Sequence, residues 1–176
     1  MNGALFFSGE YGSTAQYSGW ISEATGLPIF DVNDARADPS KYEFLVLGSS
    51  VIIHKLTIRT WVKRNLAVIE SKPTILFTVS GAPAGDKLDG WIADSIPQRL
   101  ISKVQHVALQ GRLDHKDISW LTKLILKIGA WRNEDPKAAE EELHGFDFMD
   151  KASIEPILRL VRQLQSAAGE DRPRSL

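Results

Sequence analysis

Positions 8 to 14 read SGEYGST, a run of small residues and hydroxyls directly behind a short apolar stretch. Gly9 and Gly12 let the backbone turn its amides inward across Glu10 and Tyr11. Ser8, Ser13 and Thr14 bring hydroxyls to the edge of that turn, where a helix would start with N–H groups that have no intrahelical acceptor. With the positive end of the helix dipole behind them, such groups form a cradle for phosphate. A plain strand-to-helix turn capped by Ser13 would use the same residues.

The motifs that are missing narrow the kind of phosphate. A triphosphate site wants the lysine of G-x-x-x-x-G-K-[ST], and the chain has no such motif. A dinucleotide site wants G-x-G-x-x-G. Here only two glycines stand in the turn, although Asp31, about 20 residues on, imitates a ribose-binding acid and keeps that reading open. A phospho-receiver site needs carboxylates after the first and third strands, where this chain has Ser8-Gly9 and Gly48-Ser49-Ser50. Amides and hydroxyls without a lysine suit the single terminal phosphate of a mononucleotide cofactor such as FMN.

Positioning that turn requires a sheet. Residues 4–7, 28–32, 44–48, 74–79 and 104–110 read as strands, several of them apolar at consecutive positions, as in parallel sheets covered on both faces. Residues 14–25, 56–70, 88–102 and 154–165 have helical periodicity. Pro156 fits the last of these only if it stands in the first turn, with Ser153 as the N-cap. The alternation predicts an α/β domain with a doubly wound five-stranded parallel sheet in the order 2-1-3-4-5, helices on both faces and an insertion after strand five. Loops after strands one, three and four would then carry function.

Composition agrees with one domain. With 176 residues, 43% of them hydrophobic, the chain can build a real core, expected over residues 1–168 with an insertion at about 111–147 and a flexible tail at 169–176. A formal net charge of −1 with dispersed basic residues points away from nucleic acid. The absence of cysteine excludes disulfides, iron–sulfur ligation and thiol catalysis. No secretory signal or bilayer-spanning stretch is visible, so a cytoplasmic protein is expected.

The turn "GEYGST" resembles the phosphate loop of flavodoxin-like proteins, which runs hydroxyl-x-x-Gly-x-Thr after the first strand. Gly12 and Thr14 match, and Gly9 stands where the family usually has Ser or Thr, with Ser8 one place earlier. "EFLVLGSSVIIHKLTIRTWVKRN" is similar to the third strand, flavin loop and helix, and "PTILFTVSGAP" to the fourth strand and its loop. The segment "QGRLDHKDISWLTKLILKIGAWRNEDP" resembles the long insertion of the flavodoxin-type, quinone-dependent protoporphyrinogen oxidases.

That resemblance implies an FMN protein that passes electrons from a tetrapyrrole-type donor through FMN to a quinone. The phosphate would lie in the run from Ser8 to Thr14. The ring would lie between one loop with Ser49, Ser50, Val51 and Ile52 and a second with Ser80, Gly81 and Ala82. The chemistry would be the flavin's, so no side chain is assigned as catalytic. His54, the titratable group of the ring loop, could exchange a proton with the flavin or simply serve its turn. Electron carriers of the family sandwich the ring with aromatic residues, whereas this chain offers Val51, Ile52 and Ile53 opposite Ala82 and Pro83. The alternative is an electron-transfer or interaction module with weak or lost flavin binding.

Within residues 111–132 an apolar stripe of Trp120, Leu121, Leu124, Ile125 and Ile128 is flanked by basic residues. Five bases (Arg112, Lys116, Lys123, Lys127, Arg132) against Asp114 and Asp117 give a local charge of 5 − 2 = +3. A basic amphipathic helix of this kind suits an anionic membrane surface, so peripheral contact with the inner face of the membrane is expected if the stripe does not pack on the domain.

Overall fold

A strand that is apolar at every position needs cover on both faces, and the sheet of this protein has it. The computed structural model describes residues 1–9, 12–113 and 146–167. Five strands run parallel: β1 (Gly3–Ser8), β2 (Ile29–Asp31), β3 (Phe44–Ile52), β5 (Thr74–Ser80) and β6 (Gln105–Gln110), while the two-residue β4 (Lys55–Leu56) folds back antiparallel on the end of β3. Their spatial order is β2-β1-β3-β5-β6, which is the expected 2-1-3-4-5 when the parallel strands are counted alone.

Successive residues of each strand serve opposite cores. Ala4, Phe6, Leu45, Leu47 and Leu76 pack with Trp61, Val62 and Ile69 of α2 (Arg59–Arg64) and α3 (Leu66–Glu70), and with Ile92 and Leu100 of α4 (Asp86–Ser95) and α5 (Gln98–Ile101). Leu5, Val46, Ile75 and Phe77 pack with Tyr17 and Ile21 of α1 (Ser13–Thr25) and with Ile157 and Val161 of α6 (Glu155–Ser166). The first core is centred on Phe6, whose ring stacks at 5.4 Å on Phe30 and at 5.1 Å on Trp61.

Several boundaries differ from expectation, each for a local reason. β3 continues past Gly48 to Ile52, and the chain reverses at Ile53 and His54, with φ of 48° and 61°, so that Leu56 lies in a strand and not in a helix. Two consecutive positive φ angles mark the mirror-image turn that fits a two-residue hairpin. The helix expected over 56–70 starts at Arg59 and breaks at Asn65, whose side-chain amide donates to the Trp61 carbonyl at 3.0 Å in competition with the backbone. The helix expected over 88–102 breaks at Ile96, which is extended (φ −129°, ψ 153°) ahead of Pro97. Ser153 is not a helix N-cap. Asp150 caps a short 3₁₀ turn, Lys151–Ile154, through the Ala152 N–H at 2.8 Å, and α6 follows with Pro156 in its first turn.

After β6 the chain leaves the sheet through β7 (Arg112–Leu113) and returns through β8 (Phe146–Asp147), which pair antiparallel as the stem of the insertion. The apolar stripe and most of the basic residues of 111–132 lie outside the described residues, as does the tail at 169–176.

Candidate functional site

β1 has β2 on one side and β3 on the other, so the loops leaving β1 and β3 diverge at their C-terminal ends and open a crevice. The wall on the β1 side is the start of α1. Gly12 is its N-cap with φ 82°, a left-handed conformation suited to glycine, and no side chain caps the helix. Ser13 is therefore not the cap. The first backbone bond of α1 runs from the Gln16 N–H to the Gly12 carbonyl at 2.9 Å, so the amides of Ser13, Thr14 and Ala15 precede the intrahelical ladder. No acidic residue stands in that first turn to neutralise them.

Hydroxyls line the floor. Thr14, 1% exposed, meets Ser50 through its Oγ1 at 2.6 Å. Gly9 lies against this pair: a Cβ there would sit 2.8 Å from Ser50 Oγ and 2.8 Å from Thr14 Cβ. The glycine at a position where a hydroxyl residue is usual thus has a steric cause. Below, Thr57 donates to the Ser8 carbonyl at 2.8 Å, and the buried Ser49 hydroxyl accepts the Ile58 N–H at 3.3 Å and donates to the Ser50 carbonyl at 2.8 Å. Ser49 supports the turn from inside the protein.

Ser13, 5% exposed, directs its hydroxyl elsewhere, onto the backbone of Arg112. On the far side, Ser80 donates to the Ala82 carbonyl at 2.9 Å and shapes the loop that carries Gly81. Val51 and Ile52 are half-buried, and Ile53, at the hairpin tip, is 58% exposed. His54 stacks on Trp91 with ring centres 4.8 Å apart and planes at 18°, and Lys87 Nζ stands 5.5 Å from the same indole. Asp31 Oδ1 accepts both the backbone N–H and the side-chain amide of Asn33 at 2.8 and 2.9 Å. That carboxylate closes its own turn, which weakens its likeness to a ribose-binding acid.

The structure thus brings Ser8, Gly9, Gly12, Thr14 and Ser50 together at one edge, with Ser80, Gly81 and Ala82 on the next loop. Glu10 and Tyr11 lie outside the described residues. Sequence reasoning missed Thr57 and Trp91, both placed inside expected helices, and Arg112, whose contribution is backbone alone. The donors that meet here are amides and hydroxyls, a set that fits a phosphate ester.

One further imidazole is held in a distinctive setting. His106 Nε2 on β6 lies 2.9 Å from the buried Thr78 hydroxyl, and burial pushes its pKa below the ordinary histidine value, partly opposed by the Asp89 carboxylate.

Comparison with known proteins agrees with this architecture. A family model described as flavodoxin domain matches residues 4–140. The chain is similar to oxidised flavodoxin 1 of Bacillus cereus, with a TM-score of 0.46 and 16% identity over 73% of this chain and 94% of that one. It is similar to a flavodoxin from the domain Archaea, with a TM-score of 0.47 and 12% identity over 92% and 99% of the two chains. The flavodoxin, WrbA-like protein of Agrobacterium tumefaciens gives a TM-score of 0.44 and 13% identity over 92% and 96%. No curated protein matches the sequence.

Proposed function

The chain belongs to the flavodoxin domain family, and on that footing we propose that it binds FMN and acts as an oxidoreductase through it. The observation that carries this reading is the open first turn of α1, where three amides stand beside the Thr14–Ser50 hydroxyl pair and no acidic residue neutralises them. Gly12, Ser13, Thr14 and Ala15 would hold the phosphate through their backbone, and Thr14 and Ser50 through the free proton of their hydroxyl pair. Val51, Ile52, Gly81 and Ala82 would flank the ring and keep water from it. Bound there, the flavin would supply hydride or electron transfer, which no side chain of the site needs to perform.

The finer reading is an enzyme of the quinone-dependent protoporphyrinogen oxidase type, working between a tetrapyrrole-type donor and a quinone. It is supported by the sequence of the segment that follows β6 and by the aliphatic ring loops. Residues 1–168 would form one domain, with 111–132 touching the inner face of the membrane, where quinones reside. Among the described residues no helix is long and apolar enough to cross a membrane. The missing aromatic sandwich also keeps the second reading, an electron-transfer or interaction module.

Two measurements test this. Titration of the apo-protein with FMN and with riboflavin should show FMN binding much more tightly; equal affinities would remove the phosphate cradle as anchor. The FMN-loaded protein should oxidise protoporphyrinogen with a quinone as acceptor and without oxygen. FMN binding without that activity would leave the family placement intact and favour the interaction module.

A further inference from the structure

Two side chains on one face of α1, Ser13 and Tyr17, bond to the two strands of chain that flank the insertion. Ser13 Oγ accepts the Arg112 N–H at 3.0 Å and donates to the Arg112 carbonyl at 3.3 Å. One helical turn on, Tyr17 donates its phenolic proton to the Gln110 carbonyl at 2.8 Å and accepts the Asp150 N–H at 3.1 Å. A single hydroxyl therefore joins the chain leaving the sheet to the chain returning from the insertion. The two stem segments also bond directly, Phe148 N–H to the Gly111 carbonyl at 3.1 Å. Gly111 in turn donates to the Ser80 carbonyl at 2.9 Å, at the root of the second ring loop.

On the α1 side this junction is buried, while Gln110, Arg112 and Asp150 meet it from the exposed edge. Tyr17 is 0% and Ser13 5% exposed, so either hydroxyl would be left buried without its partner if the stem moved away, which is costly. A Cβ on Gly111 would sit 2.9 Å from Val79 Cγ1, so the stem lies directly on the sheet. Ser13 and Tyr17 are four residues apart and share a helix face. Between them in sequence is Thr14, bonded to Ser50 on the crevice side. The start of α1 thus faces the crevice with its free amides and Thr14, and the insertion stem with Ser13 and Tyr17.

We propose that Ser13 and Tyr17 are positioning residues that yoke the phosphate turn of α1 to both ends of the insertion, so that filling the turn and docking the stem strengthen each other. The proposal rests on the FMN reading given above. Coupling between sites is reciprocal in free energy: a phosphate that fixes the first turn of α1 fixes the acceptors of Arg112 and Asp150, and a loosened stem weakens phosphate binding by the same factor.

The test uses the full chain and two ligands that differ only in the phosphate. FMN should slow amide exchange at Phe148 and Asp150 severalfold more than riboflavin does. Ser13→Ala should weaken FMN binding about tenfold, within the usual range for coupled sites, leave riboflavin binding unchanged and abolish the FMN-dependent slowing at Phe148. Tyr17→Phe, which removes one oxygen and keeps the ring, should act in the same direction, and Ser13→Thr should restore both readouts. If Ser13→Ala and Tyr17→Phe lower thermal stability but keep the wild-type FMN-to-riboflavin ratio and the wild-type slowing at Phe148, the residues are structural and the proposal is overturned. Wild-type protein that binds no FMN would instead overturn the functional reading itself, and the coupling with it.

Discussion

Thr14 and Ser50, from the first turn of α1 and the end of β3, meet hydroxyl to hydroxyl at 2.6 Å. Two hydroxyls carry two protons, and one proton makes that bond. The other remains free to donate to an anion in the crevice. The pair is thus both a tie between two loops and a donor.

Replacing Thr14 with Val keeps the shape and removes the oxygen. FMN affinity should fall by about 1.5–3 kcal/mol, as for the loss of a hydrogen bond to a charged group, while riboflavin affinity stays within error. Quenching of flavin fluorescence during titration gives both numbers. An unchanged FMN affinity would show that Thr14 does not reach the phosphate.

Gly9→Ala should be destabilising, since the new methyl group would lie 2.8 Å from Ser50 Oγ and from Thr14 Cβ. Overpacking of this kind costs about 1–3 kcal/mol. In the Ser50→Ala background the oxygen is gone and part of that cost should disappear. Urea denaturation of the two single variants and the double variant reads the difference as a coupling between neighbours.

Ile53→Asn should stabilise the fold by about 1 kcal/mol. A β-branched residue at φ 48° carries the steric penalty of left-handed backbone, which asparagine largely avoids. Little apolar burial is lost, because Ile53 is 58% exposed. Thermal denaturation checks the sign. If Ile53 contacts ring or substrate, the stabilised variant should at the same time turn over more slowly.

His106 should make the fold sensitive to mild acid. Burial lowers its pKa in the folded state below the ordinary histidine value of about 6.5, so the unfolded chain binds the proton more readily. Stability is fully present above about pH 6.5 and falls as pH drops from there through the lowered folded pKa. The Asp89 carboxylate acts the other way and reduces the effect. His106→Gln, which can still bond to Thr78, should flatten the dependence of the urea midpoint on pH across that interval.

The sheet order was legible because long apolar runs admit one kind of strand, covered on both faces, and the alternation with helices does the rest. The glycine turn that opens α1 was legible because its glycines and hydroxyls are local in sequence. What escaped was long-range or conformational. The β3–β4 hairpin has no Asn-Gly signal, and its turn is taken by Ile53 and His54 at positive φ. Asn65 and Pro97 end helices whose apolar periodicity runs straight through them. Ser13 reads as a cap or a ligand from its neighbours, and only the fold brings Arg112, 99 positions away, to its hydroxyl.

The hydroxyl floor also bears on chemical durability. Thr14, Ser49, Ser50 and Thr57 form contacts that cysteine could imitate in shape, yet the chain contains no cysteine at all. A thiol beside a redox centre climbs from sulfenic to sulfonic acid, and each step adds oxygen and charge where the packing leaves no room. Alcohols do not enter that series. A pocket floored in serine and threonine offers no thiol to that series, so peroxide treatment should leave these four side chains unmodified.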